Sequence, residues 1–345
     1  FGYIGDNKGR LKALCCSLYI MAISSIALAF VPVYADIGPW APFLLLLCRF
    51  LQSFASSGEC IGGAIYLLES NPQVSANFSS SLFNASTILG IIVASGSISL
   101  LASFDLIESS WRYLYLFGSL TAICGLYIRM QWEDFCPNKK RVRVFDFWKQ
   151  IWFERRILFS IANAAGFSYS CYVVSLIMFN GIIPLISSIS LAQMLEINTY
   201  LLMFDAIALP LLGFYLKGKK AKKIMFSACI CAAITGIPLT LALKSSSLFV
   251  IICIRLVFVS IGIWFSTTFH AWALSLVSPN HRYSLLSFAY AVGSQCFGMP
   301  TAAISLWLFK KTNLLSSLAW YWVTLAIATA LVLAKTKTKE KINVC

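Results

Sequence analysis

One stretch of the sequence, CRFLQSFASSGECIGGAIYLLES, places ionisable and amide side chains within a long apolar background. On a helix that turns by about 100° per residue, Arg49, Gln52, Ser56, Glu59 and Gly63 share one narrow face. A guanidinium can bind a carboxylate through two hydrogen bonds, and a desolvated carboxyl group can carry a proton. Arg49 and Gln52 are therefore candidate substrate-binding residues, and Glu59 is a candidate proton-coupling residue.

Arg49 and Glu59 are separated by about 15 Å along such a helix, so they cannot neutralise each other and each needs another partner. A helix that lines a polar passage fits this pattern. A helix that forms buried structural ion pairs fits it as well, and the sequence leaves both interpretations open.

Further polar side chains occur in other apolar segments. Arg255, Ser266 and His270 lie within roughly 80° of each other on a helical wheel in IRLVFVSIGIWFSTTFHAW. We assign Arg255 and Ser266 to substrate binding, and His270 to proton coupling. Asn163 and Ser170 form a weaker substrate-binding pair, because small polar residues also serve ordinary helix packing in membranes. Asp205 is a lone acid within an apolar segment, and a proton site and a structural partner for an arginine fit it equally.

These residues need long apolar helices to position them. Only 12% of the residues are charged and 59% are hydrophobic, whereas soluble domains carry about 25% charged residues. The sequence therefore predicts an all-α, polytopic transmembrane bundle of about ten helices, because about 20 apolar residues cross a bilayer. The predicted spans are 13–35, 41–67, 78–103, 111–130, 157–184, 191–216, 224–243, 247–277, 284–308 and 314–334.

The distribution of positive charge predicts how the chain is oriented. If the loops alternate sides, 21 of the 27 Lys and Arg residues lie on one side and three on the other. This asymmetry is typical of the cytoplasmic face of a membrane protein. We therefore expect an integral protein of the cytoplasmic (inner or plasma) membrane with a cytoplasmic C-terminus. The uneven placement of Lys and Arg across the bilayer accounts for the net charge of +14. We therefore predict no nucleic-acid partner.

Neither a cofactor nor a metal site is predicted. Most of the 12 cysteines fall within apolar spans, where they serve as small buried side chains. The two His residues form no H-x-x-x-H pair, so a membrane-embedded enzyme is the least favoured class.

The first residues of the chain resemble a known loop. GYIGDNKGRLKAL is similar to the G-x-x-x-D-x-x-G-R-x-[RK] loop between the second and third helices of the major facilitator superfamily. The matching residues are Gly2, Asp6, Gly9, Arg10 and Lys12.

A second stretch, CRFLQSFASSGECIGGAIYLLESNP, resembles the fourth-helix pattern R-x-x-Q-G-x-x-x-G-G-E. That pattern belongs to the superfamily's metabolite:proton symporter branch, which includes proline/betaine, 2-oxoglutarate, citrate and shikimate carriers. Arg49, Gln52, Gly58 and Glu59 match it, whereas serines replace two of its glycines.

The resemblance implies that the ten spans are helices three to twelve of a twelve-helix fold. Residues 1–130 would form the rest of an N-terminal half, 131–156 a cytoplasmic linker, 157–334 a six-helix C-terminal half and 335–345 a cytoplasmic tail. The two halves would surround a central cavity and move by alternating access. Because the chain begins at Phe1 within the loop motif, a fragment of a longer carrier and a decayed remnant both stay open.

The resemblance also implies a cytoplasmic gate formed by Gly2, Asp6, Gly9, Arg10 and Glu69. Arg10 would reach Glu69, and Asp6 would complement the positive N-terminus of the ninth span. The equivalent loop of the second half, GFYLKGKKAKK, has Lys217 where the family usually has Asp, so a second charged latch is in doubt.

We therefore expect a monomeric secondary transporter that couples protons to a small organic acid or a zwitterionic amino acid or betaine. The third span lacks the G-x-x-x-G-P signature of antiporters, which favours symport. The alternative is a non-transporting remnant or scaffold.

Overall fold

The computed structural model describes residues 1–104, 106–132, 144–187, 189–244 and 247–336. These residues form helices and connecting turns, without a strand among them. In chain order the helices are α1 (Gly2–Lys8), α2 (Arg10–Ala29), α3 (Tyr34–Ile37), α4 (Trp40–Ser70), α5 (Ala76–Ser103), α6 (Ile107–Met130), α7 (Val144–Phe153), α8 (Arg155–Tyr172), α9 (Phe179–Ile186), α10 (Leu191–Tyr215), α11 (Ala221–Ala242), α12 (Leu248–Leu276), α13 (Arg282–Val292), α14 (Thr301–Thr312) and α15 (Ser317–Lys335).

Nine helical segments of this described part are long and apolar enough to cross a membrane. The prediction of a helical membrane bundle is confirmed, but the predicted span 284–308 is not one uninterrupted α-helix. It consists of α13, a π-helical segment at Gly293–Gly298, and α14. Pro300, which has no N–H to donate, immediately precedes α14. The Tyr321 hydroxyl donates to the Phe297 carbonyl at 2.8 Å and satisfies one backbone group near the interruption.

The helices pack in two groups that follow the chain. In the first group, α2 packs against both α4 and α6. In the second, α11 packs against α12 and α15, and α8 packs against α13 and α15. The two groups meet where α5 contacts α10 and α12, and where α13 contacts α1 and α4. The assignment of these groups to the two halves of a carrier stays a prediction. Residues 133–143 of the predicted linker and 337–345 of the predicted tail lie outside the described residues.

Aromatic rings fill the interior of the second group. Phe167 on α8 lies with its ring centre 4.9 Å from that of Phe265 and 5.8 Å from that of Trp322. Phe258 contacts the same tryptophan at 4.8 Å. All four side chains are buried, so α8, α12 and α15 are held together by ring packing.

We predict that Gly293→Ala destabilises the second group. A Cβ atom at Gly293 would lie 2.1 Å from the Ala162 carbonyl oxygen, so the helices would have to separate. Overpacking of this kind costs about 1–3 kcal/mol, and the midpoint of thermal unfolding in detergent should fall. Gly118→Ala is the matched control, because its Cβ would meet no atom within 4 Å. Equal unfolding midpoints for the two variants would contradict the close approach.

Candidate functional site

Four buried charged side chains meet where α1, α4 and α13 come together. Asp6, Arg10, Glu69 and Arg282 are each at most 3% exposed. Arg10 donates to Asp6 Oδ1 at 2.7 Å and to Glu69 Oε2 at 3.2 Å, while Arg282 donates to Glu69 Oε1 at 2.5 Å. We call these four residues the charged latch. Its two carboxylates and two guanidinium groups balance, as a site removed from water requires.

Asp6 also caps the N-terminus of α13 across the junction of the two groups. Its Oδ1 accepts a hydrogen bond from the Tyr283 N–H at 3.1 Å. Its Oδ2 accepts from the N–H and the hydroxyl of Ser284, at 2.9 and 2.6 Å. The first N–H groups of a helix have no partner within that helix, so a carboxylate there satisfies them. The contacts from Asp6 to α13 and from Arg10 to Glu69 that the sequence suggested are both present.

Burial raises the pKa of Asp6 above its usual value. The Arg10 charge and the hydrogen bonds from Ser284 and Tyr283 act in the opposite direction and partly offset the burial. A buried carboxylate can therefore stay at this junction only while these donors remain in place.

The glycines of the opening loop allow the close contact. Gly9 separates α1 from α2 with φ 115°, a conformation that L side chains rarely adopt. A Cβ at Gly2 would lie 2.6 Å from the Ser284 Cα, so only glycine lets α1 approach α13 here. The sequence analysis missed Arg282 and Tyr283 as partners of the loop. The signal was available in SPNHRYSLL, where an arginine starts the ninth span.

The equivalent junction at α5 and α10 has no charge pair in the described residues. Asn77 Nδ2 donates to the carbonyl oxygens of Leu216 and Lys219, at 2.9 Å each. Lys217 stands where the family usually has Asp, and its ammonium lies 3.8 Å from the centre of the Phe214 ring. We call the contact of Asn77 with the two carbonyls the amide junction. The sequence left a second charged latch at this junction in doubt. A neutral donor on α5 makes the contact there instead.

On α4, the predicted substrate-binding residues Arg49 and Gln52 face the first group's own helices. Arg49 donates to the Tyr115 hydroxyl of α6 and to Gln52 Oε1, the latter at 3.4 Å. Gln52 donates to the Ser25 hydroxyl of α2 at 2.9 Å. Arg49 is exposed and Gln52 is half-buried.

Glu59 has a separate partner, as its distance from Arg49 required. Arg129 Nη1 donates to Glu59 Oε1 at 2.8 Å, and the Ser17 hydroxyl donates to the same oxygen at 2.6 Å. The Glu59 and Arg129 side chains are 20% and 21% exposed, so the protein encloses this ion pair only partly.

Arg255, which the sequence assigned to substrate binding, has hydrogen-bond partners within the second group. The side chain is fully buried within the second group. It donates to the Met194 carbonyl at 3.3 Å, to the Ser175 carbonyl at 3.0 Å and to Asn198 Oδ1 at 2.7 Å. Ser175 lies in the π-helical segment Val173–Met178, where the hydrogen-bond pattern shifts and a carbonyl needs another donor.

Asn163 and Ser170 are also buried within the second group. Asn163 Nδ2 donates to the Phe159 carbonyl at 3.0 Å, and Ser170 donates to the Phe167 carbonyl at 2.7 Å, each within α8. The Asn163 carbonyl accepts from the Thr329 hydroxyl at 3.3 Å. Both side chains thus have the contacts that helix packing would give them.

Ser266 and His270 on α12 belong to a polar cluster that joins the two groups through Asn84 on α5. Asn84 Nδ2 donates to the Ser266 carbonyl at 2.8 Å, and Asn84 Oδ1 lies 3.3 Å from His270 Nε2. The Ser266 hydroxyl lies 3.2 Å from the Tyr172 hydroxyl. We call Asn84, Tyr172, Ser266 and His270 the central polar cluster. Asn84 and Tyr172 were missed because neutral side chains in a membrane span give a weak signal.

Asp205 on α10 is 1% exposed, and neither of its carboxyl oxygens has a hydrogen-bond partner among the described residues. The arginine partner that the sequence left open for it is not Arg255, which bonds elsewhere. The predicted residues therefore fall into the charged latch, the α4 face, the central polar cluster and separate buried positions.

Comparison with known proteins gives the class of this molecule. Residues 1–303 match the model of the Major Facilitator Superfamily, and the chain belongs to that superfamily. It is 29% identical over 339 residues to a putative proline/betaine transporter of Staphylococcus aureus (strain COL), covering 93% of this chain and 71% of the relative. It is 35% identical over 138 residues to the proline/betaine transporter of Salmonella typhimurium, covering 39% of this chain and 28% of the relative.

Solved structures agree on the fold. The proton:xylose symporter XylE superposes with a TM-score of 0.75 at 14% identity, covering 99% of this chain and 84% of that one. The Escherichia coli fucose:proton symporter FucP gives 0.74 at 12% identity, covering 98% and 86%. The protein is thus an integral membrane transporter and not an enzyme, and the expected family is confirmed.

We predict that Glu69→Gln strongly destabilises the charged latch. The substitution leaves Arg10 and Arg282 buried with only the Asp6 carboxylate, and an uncompensated buried charge costs about 3–5 kcal/mol. Denaturation in detergent should show the loss. Adding Arg282→Gln to this variant restores charge balance and should recover part of the stability. Glu196→Gln, at an exposed position on α10, is the control and should leave stability unchanged. A neutral result for Glu69→Gln would contradict the role of charge balance.

A second prediction concerns the amide junction. Asn77→Asp replaces the amide donor by a carboxylate that faces two carbonyl oxygens, so stability should fall by about 1–3 kcal/mol. Asn71→Asp is the matched control, because Asn71 is exposed in the turn between α4 and α5. Thermal unfolding of both variants in detergent checks the comparison, and equal midpoints would refute the importance of the junction.

Proposed function

We propose that this chain is a proton-coupled symporter for a zwitterionic amino acid or betaine. The observation that supports a transport cycle most directly is the charged latch, because its contacts link the two helix groups at one end. Two curated relatives with proline/betaine names support the substrate class. A small organic acid is the second candidate substrate, since it would use the same carboxylate contact.

The proposed transport cycle requires the latch to break and re-form. With Asp6 on the α13 N-terminus and Glu69 on Arg282, the two groups are held together at this end. Opening this end removes the hydrogen bonds that Asp6 receives from Tyr283 and Ser284. Water that enters the gap can donate these hydrogen bonds instead. The four charged groups therefore keep hydrogen-bond partners in the open state.

The positive-inside asymmetry of the loops supports placing the latch on the cytoplasmic side. We accordingly propose a protein of the cytoplasmic membrane that functions as a monomer, with its C-terminus in the cytoplasm. The structure then corresponds to the state that is closed toward the cytoplasm.

Arg49 is the proposed contact for the substrate carboxylate. Its guanidinium is exposed and stays charged at any physiological pH. Gln52 bonds to it on the next turn of α4, and Ser266 is a further polar contact in the central polar cluster. Arg255 is not used in this proposal, because its Nη1 and Nη2 groups already donate to backbone and amide oxygens within the second group.

Glu59 is the proposed proton carrier, with Asp205 and His270 as alternatives. Protonation of Glu59 would remove the charge that Arg129 pairs with, so Arg129 would be free to take another partner. This exchange can link proton uptake to a rearrangement of α4 against α6. Asp205 has no such partner among the described residues, and His270 lies beside Asn84, with 3.3 Å between His270 Nε2 and Asn84 Oδ1.

Uptake into proteoliposomes tests the proposal. Labelled proline and glycine betaine should accumulate when an inward proton gradient is imposed, whereas labelled citrate should not. Empty liposomes and liposomes without a gradient serve as controls. Accumulation of citrate instead would favour the organic acid, and uptake of none of them would favour the non-transporting remnant or scaffold.

Replacing Glu59 separates coupling from binding. Glu59→Gln should abolish gradient-driven accumulation and leave counterflow, the exchange of labelled for unlabelled substrate, within about twofold of the parent rate, because a fixed neutral group cannot carry a proton. Glu196→Gln is the control. If Asp205→Asn gives this phenotype and Glu59→Gln does not, the proton carrier is Asp205.

A further inference from the structure

Helix α7 differs from the spanning helices in having three distinct faces: one packs against the bundle, one carries exposed tryptophans and one carries Lys149. Phe147 and Ile151 are partly buried and pack against the second helix group. The Phe147 ring centre lies 6.2 Å from that of Phe288 on α13, in an edge-to-face arrangement. Trp148, Lys149, Trp152 and Phe153 are exposed. With only ten residues, α7 is too short to cross a bilayer.

The outward faces of α7 carry large aromatic rings. Trp148, Trp152 and Phe153 are 61%, 72% and 83% exposed. Trp148 and Trp152 are four residues apart and therefore lie on one face of the helix. Tryptophan is enriched at the boundary between lipid tails and headgroups, where its apolar ring and its N–H group are both accommodated.

Positive charge lies beside these rings. Lys149, Arg155 and Arg156 are exposed, and the Arg155 guanidinium stacks over the Trp152 ring at 4.8 Å. Between residues 129 and 156 the sequence contains eight Lys or Arg residues and four Asp or Glu residues, so the segment is positive. A helix with an aromatic face and adjacent cations matches an anionic lipid surface in both polarity and charge.

The position of α7 fits that surface. It directly precedes α8, whose first residue is Arg155, and it follows the segment that leaves α6 at Met130. It therefore lies at the end of a spanning helix, where a spanning segment leaves the apolar core of a bilayer. Through Phe288 it contacts α13 one turn beyond Ser284, the residue that bonds Asp6 in the charged latch.

We propose that α7 and the start of α8 form a binding surface for anionic phospholipid headgroups. Trp148 and Trp152 enter the interface, and Lys149, Arg155 and Arg156 contact the phosphates. Bound lipid holds α7 against α13 and thereby supports the closed latch.

The test compares thermal unfolding in nanodiscs of phosphatidylcholine with unfolding in nanodiscs that also contain phosphatidylglycerol. The parent chain should unfold at a higher temperature with the anionic lipid. The variant Lys149→Gln/Arg155→Gln/Arg156→Gln should lose more than half of that difference. The charge-preserving variant Lys149→Arg/Arg155→Lys/Arg156→Lys should keep it.

Lys310→Gln/Lys311→Gln is the matched control, because Lys311 also lies over a tryptophan ring, that of Trp307 at 5.2 Å, but at the end of α14. This control should retain the difference. An equal loss in both neutralised variants would show a general charge effect and overturn the proposal, as would a parent chain that does not respond to phosphatidylglycerol. If the triple variant fails to fold, Lys149→Gln alone should show a reduced difference, and an unchanged one counts against the proposal.

Discussion

The balance of charge in the latch is the constraint on which the closed arrangement depends. Two carboxylates and two guanidinium groups are removed from water where α1, α4 and α13 meet, and each is tolerated only because the others are there. The same carboxylate of Asp6 accepts from the Tyr283 and Ser284 N–H groups at the start of α13, so one side chain both caps a helix and joins the two helix groups. Gly2 and Gly9 serve it by letting the backbone of α1 come close enough.

The second contact between the helix groups follows a different rule. Asn77 joins α5 to the end of α10 with a neutral amide, and Lys217 turns its ammonium to aromatic rings. A neutral junction is less sensitive to salt and to pH than a charged one, because no ion must be desolvated when it forms. The two ends of the interface between the groups are therefore chemically unequal, although the loops that form them resemble each other in sequence.

Polar residues within the spanning helices serve two purposes that look alike in sequence. Arg255 satisfies carbonyl and amide oxygens where a π-helical segment disturbs the hydrogen bonds of the chain, and Asn163 and Ser170 bond within or beside α8. Glu59 forms a partly exposed ion pair with Arg129, and Ser266 and His270 contact Asn84 across the two groups. A helical wheel placed all of them on polar faces, but it could not say whether a face meets water, backbone or another helix.

The amino-acid sequence alone was sufficient for the class of fold, the approximate limits of most spans, and the loop motif that is typical of the superfamily. These follow from apolar length, charge asymmetry and local spacing, which are properties of neighbouring residues. The packing of the helices was needed to show that Arg282 completes the latch, that Asn77 forms a neutral contact at the second junction, and that Arg255 donates to oxygens within the second group. Those outcomes depend on contacts between residues far apart in the chain, because a buried donor or charge takes whichever partner the packing of helices brings within reach.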